Sequence, residues 1–189
     1  MNPDEKPTPG DTRASEPSAS WDDLALAEES LDQLRDLAER VAESRRDLSD
    51  ASDRESRRGV VAIFTGEPVS AKLVAAQVLA GRLGAELLTV DVAAVVSKYI
   101  GETEKSLGRV FAAAQESGAV LFFDEADSLF GQRTDVEDAH GRYQNQETDY
   151  LLHRIEAFTG LVILATNAPQ EPGLAVIRRT AVEVRFPAP

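Results

Sequence analysis

Val120-Leu121-Phe122-Phe123-Asp124-Glu125-Ala126-Asp127 sets four apolar residues directly against two adjacent carboxylates. An apolar run without alternation predicts a parallel strand covered on both faces. Ligands of open α/β sheets collect just beyond the carboxyl ends of such strands, which is where Asp124 and Glu125 fall. Taken alone, the pair reads first as a strand meeting solvent. The surrounding chain has to decide between an ordinary strand end and an acidic site.

Upstream of this stretch, Leu107, Val110, Phe111 and Ala114 mark the inner face of a helix from about Glu102 to Glu116, ended by Gly118. Before it come a strand at Glu86 to Val90 and a helix from Ala71 to Leu83. The first core strand is Val60-Val61-Ala62-Ile63-Phe64, stopped by Thr65-Gly66-Glu67-Pro68. Downstream, Tyr150, Leu151, Ile155 and Phe158 restore helical spacing, and Leu161 to Ala165 reads as a strand ending at Thr166-Asn167. A short helix near Leu174 to Arg179 leads to a last strand, Val182 to Phe186. Strands alternating with helices predict a five-stranded parallel sheet with helices on both faces, an α/β core over residues 59–189.

The start of the chain is different. Residues 1–20 carry Pro3, Pro7, Pro9, Gly10 and Pro17 among Ser, Asp and Glu, with little apolar area to offset ordering, and predict a disordered tail. In residues 21–58, Leu31, Leu34, Leu37, Ala38 and Val41 predict an amphipathic helix from about Glu28 to Glu43 that docks on the core. Ser44 to Arg58 is charged and predicts a frayed helix end followed by a linker.

Composition narrows the function. The 189 residues hold 20 Lys plus Arg against 33 Asp plus Glu, a formal net charge of -13. Such a surface opposes nucleic acid and anionic membranes, so neither is expected as a partner. With no cysteine there is no disulfide framework and no thiolate metal site. No apolar run has the length of a membrane span and no signal-peptide core is present, so the expected location is the cytoplasm.

The strand-to-helix turn at Gly66-Glu67-Pro68-Val69-Ser70-Ala71-Lys72-Leu73 compares with the phosphate-cradling pattern G-x-x-x-x-G-K-[ST]. Gly66 and Lys72 stand at the required spacing. Ala71 replaces the second glycine, adding bulk where backbone must approach phosphate, and Leu73 removes the hydroxyl that reaches Mg²⁺. By itself this turn reads as an ordinary strand-to-helix connection.

The order of signals is more specific than any one of them. Gly66 to Lys72, Ser97-Lys98-Tyr99-Ile100-Gly101-Glu102-Thr103-Glu104-Lys105, Leu121 to Asp127, Ala165-Thr166-Asn167 and Ile177-Arg178-Arg179 together resemble an AAA+ ATPase core. The resemblance spans roughly Trp21 to Pro189. It is closest to the clade that includes katanin, spastin and the AAA+ proteins found with contractile injection systems. It implies a P-loop NTPase three-layer sandwich, ATP and Mg²⁺ as cofactors, and an oligomeric ring, homomeric or heteromeric.

Roles follow residue by residue from that resemblance. Asp124 matches the aspartate that holds hydrated Mg²⁺, and Glu125 the glutamate that polarises the attacking water. Asn167 matches the polar sensor beside that water, although an asparagine there is also a common turn former. Gly66, Pro68, Ser70, Ala71 and Lys72 match the phosphate loop. Arg178 and Arg179 resemble arginine fingers presented to a neighbouring subunit, and otherwise read as solvated charge. Tyr99 and Ile100 look like a first pore loop that grips a protein substrate, and Gly131 to Asn145 looks like a second. His140 and His153 show no ligand spacing and are expected to be structural or surface residues.

Two functions are expected from these residues. One is ATP hydrolysis coupled to protein remodelling or threading, for which the intact Asp124-Glu125 pair speaks. The other is a catalytically impaired relative acting as a scaffold or regulatory subunit, for which Val69, Ala71 and Leu73 speak. The resemblance also implies a helical lid beyond the last strand, where this sequence ends at Pro187-Ala188-Pro189. A core lacking that lid is expected to bind nucleotide weakly and turn over slowly.

Overall fold

The structure, a computed structural model, describes residues 12–47, 59–92, 102–126, 149–167 and 182–186. The segments expected as pore loops, the helix near Leu174 to Arg179 and the linker beyond residue 47 lie outside the described residues, as do residues 1–11 of the expected tail.

Six strands form one sheet: β1 (Thr12–Ser15), β2 (Val60–Gly66), β3 (Leu87–Asp91), β4 (Val120–Asp124), β5 (Leu161–Thr166) and β6 (Val182–Phe186). Their order across the sheet is β1-β3-β4-β5-β2-β6. The five strands expected from the sequence are parallel throughout. Helices α1 (Glu28–Asp47), α2 (Val69–Arg82), α3 (Glu102–Ser117) and α4, residues 149–157, are among the described residues.

Strand β4 behaves as its composition requires. Val120, Leu121, Phe122 and Phe123 are fully buried, and so are the apolar residues of β5. Successive side chains of a strand point to opposite faces. Phe122 therefore joins Phe64, Ile163, Leu79 and the α1 residues Leu34 and Leu37 in one cluster. Leu121 and Phe123 join Ile63, Leu107, Phe111, Leu151 and Ile155 in the other, where Phe111 stacks edge-on against Phe158 at 5.6 Å. The result is the expected α/β sandwich of three layers, α1 and α2 on one face and α3 and α4 on the other.

This layering fixes where a ligand can approach. Helix α2, which follows β2, packs on one face, and α4, which precedes β5, packs on the other. Ligands of open α/β sheets bind in a crevice outside the carboxyl ends of the strands. Strand β5 lies between β2 and β4, so the crevice is floored by Gly66, Thr166 and Asp124.

The N-terminal region differs from its sequence reading in two places. Thr12–Ser15 lies within the expected disordered tail, yet it pairs antiparallel with β3, Thr12 opposite Val90 and Ser15 opposite Leu87. Its residues carry no strand pattern. The open edge of β3 supplies backbone partners instead. The frayed end expected from Ser44 is also helical as far as Asp47. The Arg45 guanidinium explains the extension, because Nη1 donates to the carbonyl of Leu83 at 3.2 Å and Nη2 to that of Gly118 at 2.8 Å. These carbonyls follow the last turns of α2 and α3, where backbone acceptors lack helical partners. Desolvation at this position pulls the Arg45 pKa below its ordinary value.

At its other end α1 is fastened to β6, where the buried Ser30 hydroxyl donates to the Arg185 carbonyl at 2.7 Å. Leu34, Leu37, Ala38 and Val41 are buried between, as the helical spacing predicted. Full burial of a leucine contributes about 1.5–3 kcal/mol. Residues 24–41 are thus an integral part of the main core. Among the described residues no helix is long and apolar enough to cross a membrane.

Candidate active site

Strand β2 delivers Gly66 to the carboxyl edge with φ +101°. In the parallel register Gly66 is level with Phe186 of β6, and a Cβ at Gly66 would collide with the Phe186 carbonyl oxygen. Only glycine fits here, both for its backbone angle and for this close approach.

The helix after it begins sooner than its sequence predicted. An α2 start at Ala71 was expected, after a strand-to-helix turn, but the helix begins at Val69. The Ala71 N–H turns inward to the Pro68 carbonyl at 3.1 Å. Alanine at 71 tolerates helical winding that glycine resists by about 1 kcal/mol, and valine at 69 does so by a smaller margin. The first turn of α2 nevertheless has no side-chain cap and no acidic residue. A helix start of this kind suits an anion.

Lys72, on the first turn of α2, points into the molecule and is only 1% exposed. A buried ammonium demands strong acceptors. Its Nζ donates to the Thr166 carbonyl at 3.2 Å and to Asn167 Oδ1 at 2.6 Å. The pairing follows from the sheet, since Thr65 of β2 is level with Thr166 of β5. The Thr166 carbonyl was invisible to sequence reasoning, because a backbone acceptor leaves no signature in residue type.

On the far side of β5, β4 ends in a half-buried Asp124 and an exposed Glu125. Asp124 Oδ1 accepts the N–H of Glu125 at 3.0 Å, and Glu125 has φ +50°. The left-handed region costs a residue with Cβ about 1–2 kcal/mol, and such strain concentrates at functional sites. Asp91, at the end of β3, is level with Asp124 and adds a third carboxylate to this edge, beside Asp124 and Glu125. It was missed because a single aspartate after a strand resembles any turn.

Neighbouring strands lie about 4.8 Å apart. The ends of β4, β5 and β2 therefore bring Asp124, Glu125, Asn167, Gly66 and Lys72 into one crevice, although up to 95 positions separate Lys72 from Asn167. Pro68 and Ser70 are exposed at its rim, and Ala71 is half-buried. Leu73 is partly buried against the core and offers no metal-binding oxygen. Arg178, Arg179, Tyr99, Ile100 and His140 lie outside the described residues, and His153 is exposed on α4. Among the described residues, no group of three His, Cys, Asp or Glu is arranged to hold a metal unaided.

A magnesium-bound triphosphate fits part of this set. Asp124 is a hard oxygen donor at the same sheet edge from which α2 starts uncapped, a combination suited to a hydrated Mg²⁺ and to phosphate. Lys72 suits phosphate by charge, and in the described arrangement that charge is directed to Thr166 and Asn167.

Comparison with known proteins finds a family match over most of the sheet. Residues 62–188 match the family model "ATPase family associated with various cellular activities (AAA)". Human fidgetin-like protein 1 is 34% identical over 133 residues, 67% of this chain and 19% of that protein. Spastin of Ixodes scapularis is 35% identical over 133 residues, 67% of this chain and 20% of its own length. Spastin of Gallus gallus is 31% identical over 185 residues, 93% of this chain and 28% of its own. The chain thus spans from 19% to 28% of the length of these relatives.

Proposed function

The chain belongs to the AAA family of ATPases, and from that membership and the crevice geometry we propose that it binds Mg²⁺-ATP at the carboxyl ends of β2, β5 and β4 and hydrolyses it. The observation that carries this reading is the convergence of Gly66, Lys72, Asp124, Glu125 and Asn167 on one sheet edge.

The uncapped start of α2, with Gly66, Pro68, Ser70 and Ala71 beside it, receives phosphate, and Lys72 adds a cation to it. Asp124 would hold the Mg²⁺ that accompanies ATP. Bound magnesium supplies positive charge against the phosphate oxygens. Glu125, exposed and fixed by its N–H bond to Asp124, takes a hydrogen bond from the attacking water, and Asn167 orients that water. Arg178 and Arg179 stabilise the developing charge in a neighbouring subunit's site, which makes a ring, homomeric or heteromeric, part of the proposal. Tyr99 and Ile100 act on a protein substrate in the channel of that ring. The cytoplasm, where ATP is available, is the proposed location.

A second reading, a scaffold or regulatory subunit that hydrolyses little ATP, is favoured by the helical winding of residues 69–71. Titration with a fluorescent ATP analogue, light scattering with and without Mg²⁺-ATP, and phosphate release separate the two. The enzyme reading requires nucleotide-dependent assembly with turnover. Assembly and binding without phosphate release support the scaffold.

A further inference from the structure

Lys72 and Asn167 are each expected to face nucleotide, and they face each other. The Nζ–Oδ1 distance of 2.6 Å is that of a short charge-assisted bond, and the ammonium is 1% exposed. Nζ also donates to the Thr166 carbonyl, at 3.2 Å on the same strand end. Around the pair the cradle is drawn in. Residues 69–71 are helical, and the Ala71 N–H is turned to Pro68. A phosphate oxygen that approaches Lys72 meets an ammonium already engaged by the asparagine oxygen at 2.6 Å, and the two oxygens compete for its charge.

Resting on the nucleotide-binding reading above, we infer that Asn167 is an affinity-determining residue that acts through Lys72, competing with phosphate for the ammonium. A ligand that must first displace an internal partner binds more weakly, by the fraction of molecules in the competent state. A hydrogen bond to a charged group is strong enough to hold that fraction near one in ten. Asn167 thereby couples the emptying of the site to the end of β5. Its side chain is released toward the crevice only when phosphate has taken the lysine.

The competition acts on any phosphate that Lys72 reaches, whereas orientation of the attacking water needs a γ-phosphate. Mg²⁺-ADP is therefore the informative probe, read by calorimetric titration of the full chain. Asn167→Ala is expected to bind ADP about tenfold more tightly than wild type. Without nucleotide, the same variant is expected to melt at a lower temperature, because the buried ammonium has lost an acceptor. Asn167→Ser, a smaller change in polarity, should lie between the two in both measurements. Combining Asn167→Ala with Lys72→Met should erase the gain in affinity.

Unchanged or weaker ADP binding by a folded Asn167→Ala overturns the inference. So does a gain that persists in the Lys72→Met background. If neither wild type nor Asn167→Ala binds ADP at millimolar concentration, the nucleotide-binding reading itself fails and takes the inference with it. Binding by Asn167→Ala alone supports both.

Discussion

The backbone N–H of Glu125 donates to Oδ1 of Asp124 at 3.0 Å, closing a turn in which Glu125 holds φ +50°. The residue proposed to activate water is therefore kept in a conformation that glutamate disfavours. Asparagine enters that region readily, so Glu125→Asn should raise stability by roughly 0.5–1 kcal/mol while abolishing hydrolysis. Glu125→Gln should abolish hydrolysis without that gain. Denaturant unfolding of the two variants beside wild type checks this; an Asn variant no more stable than the Gln variant would refute the strain argument.

Gly66 offers a sharper steric case. Its φ of +101° and the facing Phe186 carbonyl oxygen leave no room for a methyl group. Gly66→Ala should destabilise the core by about 2–4 kcal/mol through displacement of β6, and weaken nucleotide binding with it. Thermal unfolding combined with nucleotide titration gives both readouts. Retention of wild-type stability would mean that β2 and β6 can part at this level without cost.

Arg45 ties α1 to the carbonyls of Leu83 and Gly118. Arg45→Met keeps most of the aliphatic stem and removes both bonds. The expected loss is about 1–2 kcal/mol, measured by urea unfolding, with the last turn of α1 losing hydrogen-exchange protection first. Uniform protection along α1 in the variant would contradict the clamp.

Strand β1 covers the edge of β3 with Thr-Arg-Ala-Ser, residues that bury little apolar area. Deleting residues 1–15 should shift the melting temperature by only a few degrees and leave β3 exposed as an unpaired edge. Concentration-dependent association of the truncated chain, followed by light scattering, is the expected outcome. A monodisperse truncation would show that β1 does not guard the edge.

What the sequence made legible was whatever depends on side-chain pattern. The unbroken run at Val120 to Phe123 identified a strand buried on both faces, and Leu34, Leu37, Ala38 and Val41 identified the buried face of α1. Gly66 and Lys72 were recognisable by spacing. What escaped depends on backbone partners brought close by the fold. Thr12–Ser15 is a strand because β3 has a free edge, and α1 continues to Asp47 where Arg45 finds two carbonyls. The early start of α2 at Val69 and the engagement of Lys72 with Thr166 and Asn167 belong to the same class. The order of motifs pointed to the carboxyl edge of the sheet, but gave no sign that Lys72 is bound from the neighbouring strand β5.

The most direct test of the account compares wild type with Glu125→Gln for Mg²⁺-ATP affinity and for steady-state phosphate release. The account predicts saturable binding by both proteins, and hydrolysis by wild type that falls about 10²–10⁴-fold in the Gln variant. Hydrolysis at the same rate in both proteins would contradict the assignment of Glu125, and no binding by either at millimolar ATP would contradict the site itself.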